Sequence, residues 1–190
     1  GYLEQFDYDK AVESFRKALT IDGSLGIARL NLALALFYAN NPDGALSEAR
    51  AAADKMPDSP HAHYLLGLIA RSQNRTEDAT AEFRRVLDRD PEDVGAKVNL
   101  GQVYVQDRNF DAAIKLLREA IASEPFNVTA AYNLATALNR SGAQEEGRAA
   151  MAQFQSLRDS TYGTTYAQTY LAQGRYAEAV ASTGAESDLV

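Results

Sequence analysis

A step of 34 residues runs through this sequence and limits what it can fold into. Small residues stand at Ala11, Ala45, Ala79, Ala113, Gly147 and Ala179, separated by 34, 34, 34, 34 and 32 positions. Leucine followed by a small residue recurs on the same step at Leu32-Ala33, Leu66-Gly67, Leu100-Gly101 and Leu134-Ala135, and prolines recur at Pro57, Pro91 and Pro125. Phe15, Phe83, Leu117 and Met151 hold a large apolar position that Ala49 interrupts. Several position classes sharing one period describe a stack of like supersecondary units. Each unit cannot bury its apolar face alone, and neighbours complete the core. The 190 residues therefore read as four full units with a partial unit at each end, rather than as one compact core or two domains.

Each period predicts two amphipathic helices. In residues 60–93, Tyr64, Leu66, Leu68 and Ile69 populate the first. Ala79, Phe83, Val86 and Leu87 recur at helical spacing on one face of the second. Thr76, followed by Glu77 and Asp78, predicts an N-cap with acids in the first turn. Asp90-Pro91 ends that helix, because proline disfavours helix in the residue before it, and Ser59-Pro60 starts the first. Asn41-Pro42 and Asn109 are the equivalent caps, and Pro125 the next stop. Gly67, Gly101, Ala79 and Ala113 fall where paired helices must approach closely; a larger side chain there predicts a cost of roughly 1–3 kcal/mol.

The residues Leu100-Gly101, Tyr104, Ala113, Leu117, Ala120 and Pro125, and again Leu66-Gly67, Ala79, Phe83 and Pro91, resemble the tetratricopeptide repeat (TPR) over nearly the whole chain. The resemblance implies an all-α solenoid, a right-handed superhelix of stacked antiparallel helix pairs. It divides the single array into a partial repeat at 1–25, repeats at 26–59, 60–93, 94–127 and 128–161, and a partial repeat with linker at 162–190. Two departures stand out. Arg29, His63, Lys97 and Ala131 replace the aromatic usual near the start of the first helix. The repeat 128–161 is degenerate, with Gly147, Phe154 and Asp159 at positions of two alanines and a proline, which predicts a different packing angle.

At the ends, Tyr2 falls in the last turn of a first helix whose body is missing, and the chain opens on Gly1, so the sequence reads as a fragment of a longer parent. Tyr166-Ala167, Tyr170, Gly174, Tyr176 and Ala179 restart the repeat two residues early, with a second helix meeting Gly184. Neither end shows a capping helix, which predicts contact with neighbouring domains or a homodimer through the uncapped ends. The stretch Arg158 to Tyr166, with Gln173 to Tyr176 and Ser182 to Glu186, resembles the segment joining TPR arrays to FG-GAP propeller-like repeats in bacterial proteins of the ASPIC/UnbV type. That likeness implies a large exported bacterial parent with this array as its N-terminal arm.

Composition removes several function classes. With 19 Lys plus Arg against 26 Asp plus Glu, the formal net charge is −7, which disfavours nucleic acid, a polyanion bound through basic residues. There is no cysteine, so disulfides and thiolate chemistry are excluded and the compartment is left open between cytoplasmic and exported or periplasmic. The two histidines, His61 and His63, stand two apart, face different directions on a helix, and read as a surface pair rather than a metal site. Arg84, Arg85 and Arg89 read as a solvated face balanced by Glu82 and Asp88, and the sequons at Asn74, Asn127 and Asn139 matter only in a glycosylating pathway. The uncharged apolar stretch Leu32 to Ala39 is too short to span a membrane. No phosphate-binding glycine loop, nucleophile elbow or carboxylate cleft is discernible. Neither a cofactor, a metal nor catalysis is expected.

By resemblance, the concave face is lined by the first helix of each repeat. Its candidate peptide-binding residues are Asn31, Leu34, Phe37, Tyr38, Tyr64, Leu68, Arg71, Asn99, Gln102, Tyr132, Asn133, Asn139 and Arg140. Asn31, Asn99 and Asn133 share one repeat position, broken by Leu65. A side-chain amide donates and accepts, so such a row pairs the backbone of an extended peptide; it resembles the asparagine ladder of O-GlcNAc transferase arrays. Leu34, Phe37, Tyr38, Tyr64 and Leu68 read either as an apolar anchor site or as the repeats' own core. The carboxylate clamp of chaperone-binding TPRs is excluded, since Leu30, Tyr64, Val98 and Tyr132, with Gly95 and Asn99 or Thr129 and Asn133 two repeats on, carry no cation. The expected function is a non-catalytic scaffold whose partner is a peptide or protein. The alternatives are an architectural or dimerisation arm, which a groove filled by the protein's own segment would favour, and the recognition arm of an enzyme domain elsewhere in a parent.

Overall fold

A computed structural model describes residues 8–160 and 174–180. Among them are nine α-helices and no strand: α1 (Tyr8–Ile21), α2 (Gly26–Tyr38), α3 (Pro42–Lys55), α4 (Pro60–Ser72), α5 (Thr76–Arg89), α6 (Val94–Gln106), α7 (Phe110–Ser123), α8 (Val128–Ser141) and α9 (Gln144–Arg158), followed by a 3-10 turn at Arg175–Ala177. Helices pair as α2 with α3, α4 with α5, α6 with α7 and α8 with α9, and each pair packs on the next through α3–α4, α5–α6 and α7–α8. The first helices α2, α4, α6 and α8 also touch in succession, and so form one continuous face. This is the all-α solenoid that the 34-residue step predicts.

The small residues act as expected. A Cβ built on Gly67 would lie 2.8 Å from the Phe83 ring, and one on Gly101 would lie 2.8 Å from Leu117. In both cases a large residue of the second helix fills the space the first helix leaves. The same step explains the interruption at Ala49: the positions equivalent to Gly67 and Phe83 in the preceding repeat are Ala33 and Ala49, both fully buried. Small opposite small replaces none opposite large. Gly147 follows similar logic in the degenerate repeat, where Asn139 Oδ1 would stand 2.3 Å from an added Cβ.

The turn between paired helices is built the same way four times. Asn40, Asn74 and Arg108 have φ of 59°, 56° and 61°, and Gly142 has 93°, each 34 residues after the last. The next residue is the N-cap and the one after it opens the second helix. Thr76 is therefore the first residue of α5 rather than its cap; Arg75 holds that place, without a side-chain cap bond, and so does Asn109 for α7. Asn41 and Ser59 do cap, accepting from Gly44 and Ala62 N–H at 3.0 and 3.4 Å, and Asp93 and Asn127 cap α6 and α8. The left-handed region is unfavourable for a long side chain but tolerated by asparagine. Arg108→Asn is therefore expected to stabilise the fold by about 0.5–1 kcal/mol, read as a higher urea midpoint at unchanged slope.

Tyr2, Tyr166, Ala167, Tyr170 and Gly184 lie outside the described residues, as do Thr161 to Tyr166 and Ser182 to Glu186 of the FG-GAP-like stretch. Residues 174–180 are described and differ from expectation. They hold one short 3-10 turn, not a second helix, and they pack against α4.

Candidate functional site

The face made by the first helices is occupied. Residues 174–180 lie across α2, α4 and α6, and each contact has a definite chemistry. Gly174, at φ 96°, crosses Gly95 of α6 so closely that a Cβ on either residue would stand 3.1 Å from the other's Cα. It would also stand 2.7 Å (from Gly174) or 2.6 Å (from Gly95) from the Tyr64 hydroxyl. Arg175 bonds Asp90 through Nη2, and its Nε donates to Asp93 Oδ2 at 3.1 Å. The Tyr176 hydroxyl donates to Asp90 Oδ2 at 2.7 Å. Its ring meets His61 edge-on at 4.8 Å and Tyr64 at 6.2 Å. Ala177 is fully buried. Val180 then pairs with Asn31 through both backbone groups: its N–H donates to Asn31 Oδ1 at 2.9 Å, and Asn31 Nδ2 donates to its carbonyl at 2.8 Å.

The expected residues divide sharply. Asn31 pairs an extended backbone as an amide can, but the other members of its row are turned elsewhere. Asn99 donates to the Tyr64 hydroxyl and to the Gly95 carbonyl, both at 2.8 Å, and Asn133 donates to Thr129 O of its own helix. Leu34, Tyr64 and Leu68 are 5%, 0% and 0% exposed, members of the core, with Phe37 half-buried between the two halves of that core. Tyr38 stacks on Tyr8 of α1 at 5.7 Å. Arg71 donates to Gln102 across α4 and α6. Tyr132 is 49% exposed against Phe154 of α9, while Asn139 and Arg140 are exposed and Asn139 leans on Gly147. The structure thus gathers Asn31, Tyr64 and Asn99 around residues 174–180, together with His61, Asp90, Asp93 and Gly95, which the candidate set did not include. The acids were hidden in the sequence as helix punctuation around Pro91. Burial raises the Asp93 carboxyl above its usual range, opposed by the Ala96 N–H it accepts at 2.6 Å.

Comparison with known proteins agrees with this architecture. Family profiles described as tetratricopeptide repeat match residues 2–24, 30–94, 70–138 and 163–182. The chain belongs to the tetratricopeptide-repeat family. Solved TPR neighbours share the fold at low identity. The crystal structure of MamA is 19% identical with a TM-score of 0.76, covering 84% of this chain and 97% of that one. MamA 41-end from Desulfovibrio magneticus RS-1 is 15% identical with a TM-score of 0.78, covering 83% and 89%. YrrB, described as a TPR protein with an unusual peptide-binding site, is 15% identical with a TM-score of 0.72, covering 82% and 80%. No curated protein sequence matches. Among the described residues, no group of three or more His, Cys, Asp or Glu could hold a metal ion, and no helix is long and apolar enough to cross a membrane.

This TPR array uses its missing aromatics for ion pairs. Arg29 meets Glu48 at 2.9 Å and His63 meets Glu82 at 2.6 Å, each joining the two helices of one repeat across 19 residues. Lys97, 5% exposed, lies 3.5 and 3.6 Å from Glu92 and Glu119. The reading of His61 and His63 as a surface pair is corrected: His63 is 5% exposed and His61 half-buried. Glu82 serves His63 rather than the arginine face, where Arg89 pairs instead with Asp58 and Arg84 holds the Tyr104 hydroxyl. The recurring spacing of a base and a glutamate was the signal available in the sequence.

Both nitrogens of His63 face acceptors, Glu82 Oε2 and the Pro57 carbonyl at 2.8 Å, so the imidazolium form suits the site. The Glu82 hydrogen bond raises its pKa, against burial. A folded pKa above the unfolded value of about 6.5 stabilises the fold fully below that value, and the gain is lost as pH rises through the folded pKa. His61 shifts the other way, lowered by burial and by Arg175, so bulk stability mixes the two. Proton NMR titration separates them: His63 is expected to titrate above His61, and Glu82→Gln to bring His63 down while leaving His61 in place.

Proposed function

We propose that this TPR array is a non-catalytic interaction scaffold that binds an extended peptide or protein segment on the face of its first helices. One observation carries the reading. The Asn31 side chain pairs both backbone groups of Val180, and so treats an extended chain as a ligand independent of its side chain. The peptide-binding site named in the description of YrrB supports the same use of a TPR fold. The test is selection of a peptide library against the protein, repeated with Asn31→Ala. Binders are expected to lose roughly tenfold or more in affinity when a paired amide is removed. Binders that ignore Asn31, Asp90 and His61 alike would place recognition elsewhere.

The same occupancy favours a second reading, an architectural or dimerisation arm, because a face filled by the protein's own chain needs no free ligand. Sedimentation velocity over a hundredfold concentration range separates the two: the dimerisation arm requires mass to rise with concentration, whereas the peptide scaffold does not.

A further inference from the structure

The stretch on the TPR face carries a pattern as well as a position. Gly174 is required by its left-handed φ and by the 3.1 Å approach to Gly95. Arg175 answers Asp90 and Asp93, two carboxylates set at the end of α5 and the start of α6. Tyr176 needs both its ring, against His61 and Tyr64, and its hydroxyl, on Asp90. Ala177 is sealed at 0% exposure, so only a small residue fits there. Glu178 and Ala179 are exposed. Val180 is fixed through its backbone by Asn31 and packs against the core cluster of α2.

We propose that this face reads an extended segment of the form glycine, cation, aromatic, small, two free positions, aliphatic, that residues 174–180 are its resident occupant, and that a partner protein carrying the same glycine–cation–aromatic pattern displaces them. The inference deepens the scaffold reading and rests on it. The resident is held by contacts suited to exchange. The single side chain it buries fully is one alanine. The Arg175 side chain stays 58% exposed, where ion pairs are weak and screened by salt. The receptor side, by contrast, is fixed: Asp93 caps α6, Asn99 braces the Tyr64 hydroxyl, and Asn31 sits in the middle of α2. A tethered occupant competes at high effective concentration, so an external segment meets a face that is mostly closed.

The experiment uses the full chain and a fluorescent nine-residue peptide with the sequence of residues 173–181. Against the native protein the peptide is expected to bind weakly. Against Arg175→Ala/Tyr176→Ala, which frees the face without touching it, binding is expected to tighten roughly tenfold or more, since an occupancy above about 90% lowers apparent affinity by that factor. Adding Asp90→Asn is expected to remove the gain. A peptide with its Arg and Tyr both replaced by Ala is expected to bind neither form. Unchanged far-UV circular dichroism shows the array intact, and a shifted His61 ring signal reports loss of the Tyr176 contact. Equal binding to native and freed proteins would overturn the resident role, and equal binding of the substituted peptide would overturn the pattern. Library peptides that bind the freed face through Asn31 without the glycine–cation–aromatic pattern would remove this proposal and keep the scaffold; no binder at all to the freed face would remove both.

Discussion

Replacing Tyr64 by alanine is expected to lower the unfolding free energy by about 3–5 kcal/mol, the range for deleting a fully buried aromatic. The ring is 0% exposed, sits edge-on to Phe83 at 5.6 Å, and joins two repeats through the Asn99 amide on its hydroxyl. Removing it leaves a cavity between α4, α5 and α6 that the fully buried Phe83 and Val98 cannot close without moving. Tyr64→Phe isolates the hydroxyl. Asn99 keeps its bond to the Gly95 carbonyl, so this change is expected to cost only about 1 kcal/mol. Urea unfolding of both variants checks the difference. A Tyr64→Ala loss below that of Tyr64→Phe would show that the ring is not core. The same burial means that a binding assay on Tyr64→Ala measures folding as well as recognition; the exposed partner Tyr176 is the cleaner handle.

The second large effect is a coupling. Phe83→Ala alone is expected to cost about 3–5 kcal/mol. Gly67→Ala alone gains up to about 1 kcal/mol of helix propensity but drives a methyl to within 2.8 Å of a ring with no room to yield, and overpacking of roughly 1–3 kcal/mol wins. Together they recreate the Ala33 and Ala49 combination of the preceding repeat, a solution already present in this chain. Gly67→Ala placed in the Phe83→Ala background is therefore expected to be neutral or stabilising. A thermodynamic cycle over the four proteins reads the sign reversal; simple additivity would refute the facing of these two positions.

The solenoid was legible because its causes are local and repeated. Leu-small pairs, the Ala–Phe spacing and the prolines each specify a helix face or end within one repeat. The helix starts were legible too, though only with the right register: Pro42 at the first turn of α3 marks where α5 begins, one residue after the place Thr76 had as a cap. The occupied face was not legible. Gly174, Tyr176 and Ala179 keep the repeat's spacing and so argue for a helix, while the interactions that hold residues 174–180 come from Asn31, His61, Asp90 and Asp93, up to 149 residues away. Long-range pairing of that kind leaves no period. Asn31 was legible in kind, as an amide able to pair a backbone, whereas Asn99 and Asn133 share its position but have nearer partners. His63 was misread because its glutamate lies on the other helix of the pair.

The crossing of Gly95 and Gly174 ties together two distant points of the sequence. Neither residue can acquire a carbon without disturbing the other's backbone and the Tyr64 hydroxyl between them. In a lineage of such chains the two sites would not drift independently. A descendant that keeps glycine at one and loses it at the other has abandoned the contact, and its face has been left open to selection for something else.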